Sequence, residues 1–187
     1  MNIEEIKRNT FIANLSGIAE HFNEQEIKCE TKSNMTATIQ LIDDPNMDMI
    51  IRFYRKDRTV YSYTEYKDNK RHGVANTFHS DGKLRSHNII DDGKIVASLT
   101  FHENGELYEE KYYRKGKLHG TCKCYTLNGE TQIREYKHGT LRHMTQLYND
   151  KKNREIFYDS RGWTTKTIMY DKDGKASTKV HSWFGWY

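Results

Sequence analysis

From about Phe53 onward an aromatic or aliphatic residue followed by a short turn rich in Gly, Asn and Asp recurs at almost constant spacing, and this beat constrains the fold most. One series of turns runs Phe78 to Gly82, Phe101 to Gly105, Tyr125 to Gly129, Tyr148 to Lys151 and Tyr170 to Gly174, with its aromatic advancing by 23, 24, 23 and 22 positions. A second series lies half a period away: Tyr66 to Asn69, Ile90 to Gly93, Tyr113 to Gly116, Tyr136 to Gly139 and Tyr158 to Gly162. Each half unit is a run of about seven or eight residues closed by residues that accept a positive φ, which is the pattern of a strand and its hairpin turn. A period this short, built from two such runs, predicts a β-hairpin array. Units of this kind stack on their neighbours and present extended surfaces, so the pattern points to recognition before chemistry.

The fullest unit reads Tyr113-Arg-Lys-Gly116-Lys-Leu-His119-Gly120, followed by Tyr125-Thr-Leu-Asn-Gly129, and Tyr66-Lys-Asp-Asn-Lys-Arg-His72-Gly73 is a second copy. This pattern resembles the MORN-repeat variant family over roughly two thirds of the chain, from the fifties to the 170s. Asn69 stands where the family has a turn Gly, Val96-Ala97 replaces His-Gly, Met144 follows His143, and Lys151 closes a turn without Gly. The resemblance implies an elongated antiparallel sheet that binds proteins or lipids and, in bacterial members, an antitoxin-like role.

Composition agrees with a thin sheet. Hydrophobic residues make up 35% of the 187 positions, below the roughly 45 to 50% of ordinary globular domains, while aromatics reach 12%. The expected fold is mainly β: an elongated antiparallel meander of MORN-like hairpin repeats over residues 51–187, with a cap over residues 1–50. Within the cap, Ile3, Ile6, Phe11, Leu15, Ile18 and Phe22 recur at helical spacing and predict an amphipathic helix over about residues 2 to 22. The stretches from Met35 to Ile42 and from Met49 to Phe53, joined through Asp43 to Asn46, predict a strand pair leading into the array. The helix is expected to cover this more apolar end of the sheet. No apolar run reaches the length of a membrane span and the first residues lack a signal-peptide core, which leads to the expectation of a cytoplasmic protein. Three cysteines, two of them one residue apart, suit a reducing compartment better than a disulfide framework.

Charge divides at the same boundary. Four of the 30 Lys/Arg and nine of the 26 Asp/Glu fall in residues 1–50, so the net charge is −5 there and +9 over residues 51–187. Basic residues interleave with Tyr from Lys111 through Arg114, Lys115 and Lys117, and again at Arg134 and Lys137. Such a surface can track phosphates and offer stacking platforms. Alternatively it solvates an open sheet, diluted as it is by Glu109, Glu110, Glu130 and Glu135. An acidic protein surface would find it attractive as well.

Local catalytic or metal-binding motifs do not emerge. Cys122 and Cys124 share one face of a strand but lack two further ligands at zinc spacing, so no metal and no cofactor is expected. Ser80-Asp-Gly-Lys83 matches a serine-hydrolase tetrad only on paper, since it occupies a turn and not a helix start. In Asp171-Lys-Asp173-Gly174, counting back from Gly174 as the sixth position makes Met169 the first ligand, which rules out an EF-hand. The nine histidines do not cluster; His72 and His119 belong to the repeat motif, His79 and His102 to turns. An active site assembled from distant strands would leave no local motif and stays open as a third reading.

The last residues are the sharpest apolar feature: Trp183, Phe184, Trp186 and Tyr187. Burying each contributes on the order of 1.5 to 3 kcal/mol, so they cap the last hairpin or anchor a partner. With Tyr112, Arg134 and Tyr136 they are the candidate partner-binding residues. Lys111, Arg114, Lys115, Lys117 and Lys137 form the basic surface of the alternative. The expectation is a non-enzymatic protein-binding module that sequesters or inhibits a partner, as an antitoxin or a phage counter-defence factor would; the alternative is binding of nucleic acid or anionic lipid.

Overall fold

Two turn geometries organise the chain, and each follows from the residues that accept a left-handed backbone. In the loops 55–59, 79–83, 102–106, 126–130, 159–163 and 171–175 the first residue's N–H donates to the fifth residue's carbonyl, and the fourth residue's N–H donates back to the first carbonyl. The fourth residue takes positive φ, as Gly82 does at 84°, which a side chain resists. An Asp or Asn carboxyl or amide oxygen completes most of these loops: Asp81 Oδ1 accepts from Lys83 N–H at 3.0 Å, and Asp171 Oδ1 accepts from Lys175 N–H at 2.8 Å. The tight turns use two left-handed residues in succession, as in Asp68–Asn69 (φ 48° and 61°) and Lys115–Gly116 (φ 52° and 73°), the geometry that matches strand twist in two-residue hairpins.

The computed structural model describes residues 20–23, 26–30 and 36–181. They form strands β1 (Glu20–Asn23), β2 (Glu26–Glu30), β3 (Thr36–Asp44), β4 (Met47–Tyr54), β5 (Val60–Lys67), β6 (Lys70–Phe78), β7 (Leu84–Asp91) and β8 (Lys94–Phe101), then β9 (Leu107–Arg114), β10 (Lys117–Leu118), β11 (Gly120–Tyr125), β12 (Glu130–Lys137), β13 (Thr140–Tyr148), β14 (Lys151–Tyr158), β15 (Thr164–Tyr170) and β16 (Ala176–Val180). No helix occurs among the described residues, and none is long and apolar enough to cross a membrane. The fold is mainly β and antiparallel, as the turn series predicts. The chain divides into two compact units, Met1–Val96 with Phe101–Glu106, and Ala97–Thr100 with Leu107–Tyr187. Within each, strands pair with their predecessors and successors as a meander.

The first unit holds the apolar core. Ile39 faces Ile51 and Met49 faces Tyr66 across adjacent strands, and these four are buried together with Leu41 and Phe53 packed against them. All six lie on one face because side chains alternate along each strand. The predicted strand pair is present as β3 and β4. Of the predicted helix, residues 20–22 belong to β1 instead, where Glu20 pairs with Lys28; residues 2–19 lie outside the described residues, as does the predicted packing of the helix.

Turn histidines tie neighbouring hairpins of this unit together. His79 Nε2 lies 3.1 Å from the Phe101 carbonyl, and Arg55, at the equivalent loop position, donates to the Phe78 carbonyl. The recurring His of this turn series thus serves as an inter-repeat link.

One element of the sequence register changes. The spacing groups Asn149–Asp150 with the long loops and Asp159–Gly162 with the tight ones, and the structure exchanges them. Asn149 (φ 47°) and Asp150 (φ 61°) are two left-handed residues, enough for a tight turn. Asp159 Oδ1 instead accepts from both Arg161 N–H (2.8 Å) and Trp163 N–H (2.9 Å) and holds a five-residue loop open.

Candidate functional site

The second unit is where the predicted site residues fall, and strand register decides which of them meet. β11 pairs with β9 through Lys123 opposite Glu110 and Cys124 opposite Glu109, and with β12 through Cys122 opposite Arg134 and Gly120 opposite Tyr136. One face therefore carries Glu109, Lys111, Cys122, Cys124, Arg134 and Tyr136; the other carries Glu110, Tyr112, Lys123 and Glu135. Arg134 and Tyr136 come together, while Tyr112 lies on the opposite face beside Glu110, 44% exposed.

Two further residues join Arg134 and Tyr136. β13 faces β14 with Gln146 opposite Arg154 and Met144 opposite Ile156, which places Arg154 and Tyr158 on that same face. Burial pushes the Tyr158 phenol up, Arg154 and then Arg134 pull it back, and Tyr136 adds to the rise. All four groups are thus within electrostatic reach of one another. Arg134 donates to Gln132 Oε1 at 2.6 Å and sits 4.0 Å from Glu109 Oε1; Glu109 is engaged more closely by Lys111, at 2.6 Å. Glu130 Oε1 accepts from Gln132 (2.8 Å) and Gln146 (2.6 Å). The Nε of Arg154 is buried and finds no hydrogen-bond partner among the described residues. A buried guanidinium donor without an acceptor is costly unless a ligand supplies one. Two guanidiniums and two phenols on an open sheet face can bind a carboxylate or phosphate by charge-assisted hydrogen bonds and pack against a ring or amide plane.

The opposite face is a closed ionic lattice. Glu155 is buried and accepts from Tyr170 Oη and, at 3.2 Å, from Lys152 Nζ; His143 Nε2 stands 3.4 Å away. The Tyr170 hydroxyl, ahead of Lys152 and His143, holds the carboxyl below the usual range. The His143 ring stacks on Phe157 at 4.4 Å, and Lys166 Nζ lies 4.2 Å from that ring's centroid. Glu110 likewise accepts from Tyr125 Oη. Carboxylates filled by neighbours and held ionised are poor proton carriers near neutrality, so this lattice serves cohesion between strands.

Cys122 and Cys124 are buried free thiols, and burial pushes the Cys122 thiol up, away from the nucleophilic thiolate. Among the described residues no group of three or more His, Cys, Asp and Glu converges as a metal site.

The basic residues separate by position. Lys111 is spent on Glu109, whereas Arg114, Lys115, Lys117 and Lys137 are exposed at two adjacent turns. Gly139 N–H donates to the Leu118 carbonyl at 2.8 Å, and the rings of His119 and His138 lie 5.3 Å apart, which joins these turns. Trp183, Phe184, Trp186 and Tyr187 lie outside the described residues. Sequence reasoning missed Arg154 and Tyr158 as site residues. Tyr158 is a periodic turn aromatic, but Arg154 carries no local signal, since bulges between Glu135 and Tyr136 and between Gln146 and Leu147 shift the register that brings it in.

No protein-family model matches the chain, and no curated protein matches it. Among solved structures the chain is similar to the crystal structure of TarM, with a TM-score of 0.43 and 16% identity over 60% of this chain and 22% of that one. It is similar also to a mutant TarM of S. aureus in complex with fondaparinux, alpha-GlcNAc-glycerol and UDP, with a TM-score of 0.33 and 17% identity over 68% of this chain and 23% of that one. The chain spans less than a quarter of the length of either TarM chain.

Proposed function

We propose that the chain is a non-enzymatic binding module that sequesters or inhibits a protein partner, and that Arg134, Tyr136, Arg154 and Tyr158 form its contact centre. The observation that carries this reading is the convergence of two Arg and two Tyr from β12 and β14 on one half-buried, otherwise open sheet face, with the Arg154 Nε lacking an acceptor. Arg and Tyr are the side chains enriched where a few residues carry most of the affinity for a protein. The antitoxin-like or counter-defence role draws on the MORN-like resemblance alone.

The test is capture of the partner from the native host on the tagged full chain, followed by measured affinities for variants. Arg134→Ala and Tyr158→Ala should each raise Kd by about 30-fold, equivalent to about 2 kcal/mol. Tyr112→Ala, on the opposite face, should change it less than about threefold. Loss of binding with Tyr112→Ala and retention with Arg134→Ala would place the contact on the other face and end this assignment.

The second reading, nucleic acid or anionic lipid on the basic surface, is favoured by the exposed turn residues Arg114, Lys115, Lys117 and Lys137. It requires affinity that falls steeply with salt, as counterions are released for each phosphate engaged.

A further inference from the structure

We infer that one end of the strands in the second unit is a docking edge for the acidic surface of a folded protein, centred on Trp163; this rests on the protein-binding reading above and names the chemistry of the partner.

In an antiparallel meander every second turn falls at the same end. The turns 115–116, 138–139 and 159–163 share one end of this unit, and 126–130, 149–150 and 171–175 share the other. The first three touch in succession: Gly139 lies against Lys117 and Gly162 against Thr140. Strand spacing sets them roughly 10 Å apart. Their charges are one-sided. Arg114, Lys115, Lys117, Lys137 and Arg161 are exposed, against Asp159 alone. Asp159 Oδ1 is already occupied by the N–H groups of Trp163 and Arg161, which hold its carboxyl below the usual range. Among the described residues none of Arg114, Lys115, Lys117 or Lys137 forms an ion pair. The opposite end is mixed, with Glu130, Asp150, Asp171 and Asp173 against Lys151, Lys172 and Lys175.

Trp163 stands in this basic row, 49% exposed. The corresponding fifth position of the other long loops is Thr59, Lys83, Glu106, Glu130 and Lys175, all polar. The exchange of turn types after Gly139 is what brings a long loop, and so a Trp, to an end otherwise made of tight turns. Asp159 clamps that loop through two backbone N–H groups, so the indole is presented on a rigid support and little order remains to be imposed on binding. A large apolar ring ringed by cations is the composition of a binding hot spot with an electrostatic guide.

A folded acidic protein fits this edge better than nucleic acid. Spaced point charges and one apolar ring match carboxylates around an apolar pocket. A nucleic-acid strand would want successive aromatic platforms beside its phosphates, and here Trp163 is the single exposed aromatic in the row. Carboxylates on the strands behind the edge, Glu109, Glu110 and Glu135, would repel a phosphate chain that strayed onto either face.

The full chain is titrated into a dye-labelled, Glu-rich peptide bearing one Phe, and separately into a single-stranded oligonucleotide of equal charge, by fluorescence anisotropy at physiological salt. The expected result is weaker peptide binding by about tenfold in Lys117→Glu/Lys137→Glu and by at least about fivefold in Trp163→Ala. The charge-matched control at the opposite end, Lys172→Glu/Lys175→Glu, should change it less than about twofold. Circular dichroism confirms that each variant is folded. Equal losses from the two charge reversals would reduce the effect to net charge and overturn the docking edge. Tighter binding of the oligonucleotide than of the peptide, indifferent to Trp163→Ala, would overturn the choice of partner, and absence of peptide binding would overturn both. If the captured partner still depends on Arg134 and Tyr158 while the edge variants bind it normally, this inference fails and the protein-binding reading stands.

Discussion

Replacing Gly73 by Ala tests whether the His-Gly step of the repeat is a backbone requirement or a packing one. Gly73 has φ of +81°, and a Cβ there would lie 2.3 Å from Glu65 Oε2. That oxygen accepts from the Val74 N–H at 2.6 Å, while Glu65 Oε1 accepts from Tyr63 Oη at 3.0 Å. The carboxylate is the free end of a flexible chain, so it will swing away and give up its bond to Val74. The left-handed backbone costs about 1 to 2 kcal/mol for a residue with a Cβ, and a hydrogen bond to a charged group contributes about 1.5 to 3 kcal/mol. Gly73→Ala should therefore lower stability by roughly 3 to 5 kcal/mol. Gly120 is its counterpart in the second copy of the motif, at φ of +78° with nothing within 4 Å of an added Cβ, so Gly120→Ala should cost only the backbone part, about 1 to 2 kcal/mol. In a Glu65→Ala background the cost of Gly73→Ala should fall to that same 1 to 2 kcal/mol or so, because the bond it breaks is already gone. Urea unfolding of the four variants by circular dichroism gives these differences, and hydrogen exchange at the Val74 amide reports the local bond if unfolding is not two-state. Equal costs at Gly73 and Gly120, or an unchanged cost in the Glu65→Ala background, would refute the role given to the carboxylate.

Ile51→Ala, at a fully buried site, should cost about 2 to 5 kcal/mol in urea melts, and Ile133→Ala, on the half-buried second unit, distinctly less. Tyr63 and Tyr66 have phenols pushed up to about 12, chiefly by burial; the stability they contribute is complete below their ordinary value of 10.0 and lost as pH rises from there toward about 12, so tyrosinate absorbance and loss of circular dichroism should advance together in that window. Glu155 behaves in the opposite sense: its folded pKa is depressed, so its contribution is present above the ordinary 4.5 and lost as pH falls through the lowered value, and Tyr170→Phe, which removes the largest cause, should flatten acid denaturation there. Deletion of residues 102–124, which removes β9 to β11 and rejoins equivalent turn positions, should leave a folded protein by size-exclusion chromatography, whereas deletion of β9 alone reverses the direction of every later strand and should aggregate.

The fold was legible because its determinants are local. A strand and a turn each occupy fewer than ten residues, and a Gly, Asn or Asp at a left-handed position announces itself wherever it stands. Loop type was less legible. Asn149-Asp150 and Asp159-Ser-Arg-Gly162 carry the same turn chemistry as their neighbours, and only the hydrogen bonds of Asp159 to Arg161 and Trp163 show which loop is long. The site was the least legible part. Alternation along one strand says that Tyr112 and Lys111 oppose each other, but not which of them shares a face with Arg134; that depends on Cys122 pairing with Arg134 on β12 and on the register across β9. Each bulge then resets the count, so His143 meets Glu155 and Arg154 approaches Tyr158 and Tyr136 through shifts no sequence spacing encodes.

A sheet of this kind separates scaffold from recognition by what it leaves unspent. In the second unit the carboxylates are consumed within the sheet: Glu109 by Lys111, Glu110 by Tyr125, Glu130 by Gln132 and Gln146, Glu135 by Thr121, and Glu155 by Tyr170 and Lys152. Each bridges residues on the same or neighbouring strands, which is how an open layer without a second sheet compensates for apolar surface it cannot bury. The cations are not consumed in step. Lys111 and Lys152 answer a carboxylate, but Arg114, Lys115, Lys117 and Lys137 answer none among the described residues, and the Arg154 Nε is buried without an acceptor. The excess positive charge of residues 51–187 therefore does not spread evenly over an open sheet. In the second unit it collects at one row of turns and on the Arg134–Arg154 face, and both await acidic groups that this chain does not itself supply.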